Sequence, residues 1–394
     1  MLQAALMFDN APPAVGSEAF DATGFEIGWD HAHYRVVPPV EHMHAGHPVR
    51  QGWQAGQSVF GARTLRATVH VRKWLQLRLN AWLRGRAFEG VQVTPNYLSQ
   101  IDVPVCPITR EPLTQATGQP SDASVDRVFN GASYAAGNLA VMSVRANAAK
   151  GDHGWDDALT FVRQIEAGEL GQIGGLDAAQ WSRLAVLMSF VTPLAHAQVA
   201  CLPLLVLPPN RLRLLNPVQA LQALLTLQFT RDGAPRRIGE LAGVMPAEVR
   251  HDFQVFMHTL LARRLAAGTQ IDAPALRRTM EDVWCDPLVN RRWQRLALRL
   301  SEADCERLVR YAGRNGLAGT DWHWLDRDAA VDGWALETRG HVAARAEMAA
   351  AAPRSLPVDR AALTNFAIDT YTTRHGDDEH FSARFTEGLC RPAS

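Results

Sequence analysis

From Asp156 onward, apolar residues recur at three- and four-residue intervals, and the pattern predicts helices over about 156–167, 177–192, 216–229, 236–243, 246–266, 273–283, 287–299, 301–314 and 358–373. Several open on residues whose side chains can accept from the first free backbone N–H groups: Asp177, Asn216 and Ser301. Between Arg63 and Arg86, Leu65, Val69, Trp74, Leu75, Leu77, Leu79 and Trp82 alternate with arginines, as expected of a basic amphipathic helix with Trp74 and Trp82 on its core side. Residues 1–60 are rich in Gly, Pro and aromatics and hold no sustained helical period, which predicts short strands and loops resting on another element. A different grammar runs from Cys106 to Lys150. Ser124–Phe129 alternates as a half-exposed strand, Asn130-Gly131 supplies a turn, and Gly137-Asn138 leads into the apolar strand Leu139–Met142. Ser143 can cap a following helix that carries Asn147 and Lys150, and Gly151 can stop it.

These elements predict a mainly α fold with a small α+β module of strand, strand and helix, and a helical C-terminal domain. The domains expected are 1–105, an N-terminal segment of loops with the basic helix; 106–155, the strand–strand–helix module; 156–335, all helical; and 336–394, a helical extension. Candidate boundaries fall at Gly151–Gly154 and Gly333–Pro357. The chain of 394 residues is long enough for two or three ordinary cores.

Charge narrows the choice of partners. Lys+Arg and Asp+Glu both number 40, so no global field draws the chain to nucleic acid, and any such contact must come from a local basic surface. The five cysteines stand singly with no CxxC pair, which argues against a disulfide framework or a cysteine-rich zinc site, and Cys106 reads as a buried thiol. The N-terminal residues carry no basic start and apolar core of the secretory kind, and a cytoplasmic location is expected. Leu184–Leu207 has no charged residue over a length that could cross a bilayer, but Pro193, His196, Gln198 and Pro203 favour a buried helix and an apolar extended run, and no membrane partner is expected.

The run CPITREPL from Cys106, followed by SVDRVFN, GN, VMS and AN..K, resembles a phage and mobile-element group of the HNH (His-Me finger) nucleases over about 45 residues. In that superfamily a strand histidine activates water, a neighbouring or helix residue binds a divalent cation, and a middle Asn orients the histidine. By position, the resemblance places Arg127 at the histidine's place, Asp126 at the adjoining ligand position, Asn138 in the middle and Asn147 at the helix-ligand position. It implies a ββα finger, Mg²⁺ or Mn²⁺ on Asp126 and Asn147, DNA as partner, and phosphodiester nicking. Arginine stays protonated and makes a poor base, although it can hold a phosphate through two parallel hydrogen bonds. Tyr134 and His153 are spare candidates for a proton-transfer role. Phosphate contacts are expected from Arg72, Lys73 and Arg78 on the basic helix and from Arg145 and Lys150 in the module. The alternative is a non-catalytic DNA-binding or scaffold protein with a degenerate finger.

Two weaker patterns remain. His31, His33, His42, His44 and His47 have spacings that can bring imidazoles to one metal, though proline- and aromatic-rich loops also gather histidines as hydrogen-bonding groups. Arg237–Gln254 resembles a helix-turn-helix with Arg250 and His251 on its second helix, a spacing that helical bundles also produce.

Overall fold

The structure is a computed structural model that describes residues 17–268, 272–318, 325 and 327–342. The helix expected at 358–373 and Cys390 lie outside the described residues. The chain is mainly helical with one small two-stranded antiparallel sheet, and it divides into two compact units. One is built from the described residues of 17–99 and 335–342, the other from those of 100–334.

In the first unit, α1 (Ser17–His33) and α2 (Pro48–Phe60) stand where strands and loops were expected. The reason lies in the glycines. A Cβ on Gly28 would collide with the Val49 carbonyl, and one on Gly52 with the Phe25 carbonyl; Gly24 faces Pro48 and Gly56 faces Ala32 in the same way. Gly24/Gly28 and Gly52/Gly56 are each four residues apart, so each pair lies on one helix face and lets the backbones touch. Residues that resemble loop punctuation in the sequence are the contact surface of two closely packed helices running in the same direction. The basic helix forms as expected: α3 (Val69–Leu83) is capped by Thr68 and buries Trp74, Leu75, Leu79 and Trp82. Trp82 stacks on Phe20 with ring centroids 4.4 Å apart and donates its indole N–H to the Phe20 carbonyl at 2.8 Å.

The second unit begins within α4 (Pro95–Ile101). Strands β1 (Ala123–Arg127) and β2 (Leu139–Ser143) pair antiparallel in a register that sets Val125 opposite Val141 and Arg127 opposite Leu139. Helix α5 (Val144–Lys150) follows directly, because Ser143 accepts from the Ala146 N–H and ends the strand as a helix cap. Gly151, at φ +46°, stops the helix in a conformation that favours glycine. The remaining helices are α6 (Trp155–Glu166), α7 (Ala178–Phe190), α8 (His196–Ala200), α9 (Pro217–Leu227), α10 (Ala234–Val244), α11 (Arg250–Ala266), α12 (Ala273–Asp282), α13 (Pro287–Ala297), α14 (Glu302–Arg314) and the single turn α15 (Arg327–Ala330).

One apolar core runs through this unit. Cys106, Ile108, Val128, Ala140 and Met142 belong to the same buried cluster as Trp181, Leu184 and Phe190 of α7 and Trp284 and Trp293 further on. Each large buried side chain contributes roughly 1.5–3 kcal/mol, so strands and helices are stabilised by the same apolar contacts. The stretch 184–207 enters this core as the end of α7, the short α8 and an extended run, and no helix among the described residues is long and apolar enough to cross a membrane.

Candidate functional site

The polar side chains of the strand–strand–helix module converge on Lys150, expected among the phosphate contacts. It is fully enclosed, with no exposed surface. An ammonium so buried requires an acceptor for each of its three N–H groups, and it has them: Asp126 Oδ1 at 3.3 Å, the Arg127 carbonyl at 2.9 Å and Asn130 Oδ1 at 2.7 Å, with Asp126 Oδ2 in ion-pair contact at 3.1 Å. Ala146, one turn earlier on α5, is equally buried, so this helix face looks onto the strands and carries Lys150 inward with it. Burial pushes the Asp126 carboxyl above its ordinary range, and the Lys150 ammonium pulls against that. Asn130 completes the closure by donating to the Gly151 and His153 carbonyls at 3.1 and 3.2 Å.

Arg127 also turns inward. Its guanidinium donates to the Asn130 carbonyl at 3.1 Å and the Ala132 carbonyl at 2.9 Å and lies 5.1 Å from the centre of the Tyr134 ring. Asn138 is wholly buried and knits the loop between the strands: its Oδ1 accepts from Phe129 N–H at 2.8 Å, and its Nδ2 donates to the Phe129 and Ser133 carbonyls, both at 3.1 Å. Asn147 donates to Ser124 Oγ at 2.7 Å, so the two residues expected to share a cation bond to different partners. Cys106 is the buried thiol expected; it accepts from the Thr109 and Ser143 N–H groups at 3.4 and 3.3 Å. Burial alone would raise its pKa, but the hydrogen bonds from Ser143 and Thr109 outweigh burial and hold it below the usual thiol value.

The other expected residues are scattered. Arg145 is half-buried and pairs with Glu111 at 3.0 Å. Arg72 is exposed and Lys73 half-buried on α3, while Arg78 is bound to Asp30 and sits 4.6 Å from the Trp74 ring centre. Arg72, Lys73 and Arg78 belong to one unit, Arg145 and Lys150 to the other. His153 packs edge-on against Phe161 at 4.8 Å and faces Asp157 at 3.8 Å. Arg250 and His251 are exposed at the start of α11.

The histidines separate into two groups. His31 is buried and bonded to the Ile27 carbonyl, and His33 stacks on Phe60. His42, His44 and His47 do cluster, with His47 5.2 Å from His42 and 4.8 Å from His44 between ring centres. Among the described residues, no group of three or more His, Cys, Asp or Glu side chains is arranged to hold a metal ion.

Sequence reasoning missed two features. Asn130, read only as a turn residue, is an acceptor for Lys150. The loop after Cys106 is also bound to the helices: Arg183 Nε donates to the Ile108 carbonyl at 2.6 Å, and Arg110 pairs with Asp282 at 2.6 Å and Glu281 at 3.7 Å. No pattern of spacing announces contacts between segments so far apart in the chain. No family model, curated protein or solved structure matches this chain.

Proposed function

We propose that residues 106–152 are an HNH-like ββα finger that no longer hydrolyses phosphodiesters and instead braces the helical domain of a non-catalytic interaction or scaffold protein. The observation that carries this reading is the Lys150 ammonium on Asp126. A nuclease finger needs a carboxylate free to hold a hard divalent cation, which takes several oxygen ligands. Here that carboxylate, a backbone carbonyl and the Asn130 amide oxygen already surround an internal cation, while Asn147, whose Nδ2 donates to Ser124, bonds away from that group. This donor set does not fit Mg²⁺ or Mn²⁺. Nor is a base available at the expected position, since an arginine stays protonated and Nη1 of Arg127 donates to two backbone carbonyls.

The bracing role is supported by where the finger's remaining bonds go. The Ser133 hydroxyl donates to the Gly333 carbonyl at 2.6 Å, the Trp334 indole donates to the Ala136 carbonyl at 3.0 Å, and Arg213 N–H donates to the Gly137 carbonyl at 3.0 Å. Together with the Arg110 and Arg183 contacts, they tie the module's first loop and the loop between its strands to segments before and after α9.

The test is a nicking assay on supercoiled plasmid with the full chain over Mg²⁺, Mn²⁺, Co²⁺, Zn²⁺ and Ca²⁺, paired with melting curves in each metal. No nicking and no upward shift in melting temperature are expected with Mg²⁺ or Mn²⁺. Metal-dependent nicking that is lost in both Asp126→Ala and Asn147→Ala would overturn the reading and restore the nuclease.

A further inference from the structure

The charge that is balanced over the whole chain is not balanced locally. Residues 31–88 contain nine lysines and arginines against one carboxylate, Glu41. Three of these arginines meet at one surface concavity of about 490 Å³ within the first unit, lined by Tyr34, Arg35, Thr64, Arg66 and Arg72 among others, with no carboxylate on its wall. The three come from different elements. Arg35 follows the end of α1, Arg66 lies in the loop before α3, and Arg72 stands on the first turn of α3, where the dipole of a fifteen-residue helix adds positive potential. The Leu65 N–H donates to the His33 carbonyl at 2.8 Å and holds the loop against the end of α1.

None of the three guanidiniums has a hydrogen bond or ion pair among the described residues, whereas Arg78 on the same helix is bound to Asp30. Arg35 carries a second signal. The Val36 N–H bonds to the His31 carbonyl and the Arg35 N–H to the Ala32 carbonyl, a helix-ending pattern that sets Arg35 at φ +54°, in the left-handed region where glycine is the usual choice. An arginine stands where the backbone favours glycine, and it lines a wall that already holds two other cations. Like charges without counterions repel, and a polyanion relieves all three at once.

The geometry points to a phosphate-binding cleft formed by Arg35, Arg66 and Arg72, with a nucleic-acid backbone as its ligand. A nucleic acid is favoured over a small phosphorylated molecule because the excess of cations continues past the cleft's three arginines to the exposed Arg63, next to the lining residue Thr64. This site lies outside the finger and does not depend on how the finger is read.

The test is fluorescence anisotropy of the full chain with a labelled 25-base-pair duplex between about 50 and 200 mM salt, with inorganic tripolyphosphate as a second probe. Binding is expected to weaken with salt. The R35A/R66A/R72A variant is expected to lose about tenfold or more in affinity and to lower the slope of log K against log salt by about 2–3, with an unchanged melting curve. The control R236A/R310A removes arginines already paired with Glu240 and Glu306 and is expected to leave affinity within about twofold. No duplex binding at low salt, equal losses in triple variant and control, or binding of tripolyphosphate without binding of duplex would each overturn the proposal.

Discussion

The strand–strand–helix module proposed above as a finger and the proposed arginine cleft use the same kinds of side chain in opposite ways. In the finger, Lys150, Arg127, Asp126 and Asn138 are buried and bonded to one another or to backbone. In the cleft, Arg35, Arg66 and Arg72 are exposed and have no partner among the described residues. A buried polar group without a partner is expensive, so the finger's motif residues are committed to the fold, and removing one exposes the cost of the others. An exposed cation costs little and remains available. A motif position therefore does not reveal whether its residue acts on a ligand; what the side chain has already bonded to does.

The largest expected effect tests the finger side of this comparison. Lys150→Met leaves the Asp126 carboxylate buried without its counterion, a loss of about 3–5 kcal/mol, seen as a strong fall in the denaturation midpoint. Lys150→Met combined with Asp126→Leu is expected to recover much of it, because the uncompensated charge is gone. A single variant as stable as the natural chain would break the comparison, since Lys150 would then be as dispensable as a surface cation.

Asn138→Ala comes next. It strands the Phe129 N–H and the Ser133 carbonyl in a buried loop and leaves the Phe129 carbonyl with the Ala132 N–H, at a cost of about 2–3 kcal/mol, measurable by chemical denaturation. Asn138→Asp is expected to be no better, since a carboxylate cannot donate to the two carbonyls. If Asn138 were instead held for catalysis, its removal would leave stability almost unchanged.

A smaller effect belongs to a third kind of polar group, neither bonded into a core nor left available. His47 accepts from the Val49 N–H as the cap of α2 and lies beside His42, His44 and the Trp82 ring. Burial, followed by the neighbouring His42 and His44, lowers its pKa to about 4, with Asp21 opposing. The folded chain thus favours neutral His47 while the unfolded chain takes up a proton near the ordinary value, so stability is full above about pH 7 and falls as pH drops through 6.5 towards 4. A melting temperature several degrees lower at pH 4.5 than at pH 7.5 is expected. His47→Asn, which keeps a capping oxygen without the titration, should flatten that dependence.

The strands, α5 and most helices were legible in the sequence because alternation, three-to-four periodicity and capping residues are local signals. Ser143 and Gly151 alone fix both ends of α5. The first two helices were not legible, because Gly28 and Gly52 let α1 and α2 approach each other closely, and in sequence that need looks the same as a turn. The site was legible in position but not in use. Asp126, Arg127, Asn138 and Lys150 all lie in the predicted module, yet whether a lysine on a seven-residue helix faces water or a carboxylate depends on which face the strands cover. The buried Ala146 one turn before Lys150 was the available clue.

The smallest predicted effect has an unusual sign and tests the cleft side of the comparison. Arg35 occupies the left-handed position after α1 at φ +54°, where a side chain strains the backbone and glycine does not. Arg35→Gly is therefore expected to stabilise the first unit by about 0.5–1 kcal/mol, a rise of a few degrees in melting temperature, while weakening duplex binding by removing one of three cations. Arg72→Gly, on the first turn of a regular helix, should lower both stability and binding. A substitution that improves the fold and harms binding separates a residue kept for a ligand from one kept for the structure. If Arg35→Gly instead lowered stability, Arg35 would prove to be holding the end of α1, as Lys150 holds the finger, and the contrast between the two regions would fail at that residue.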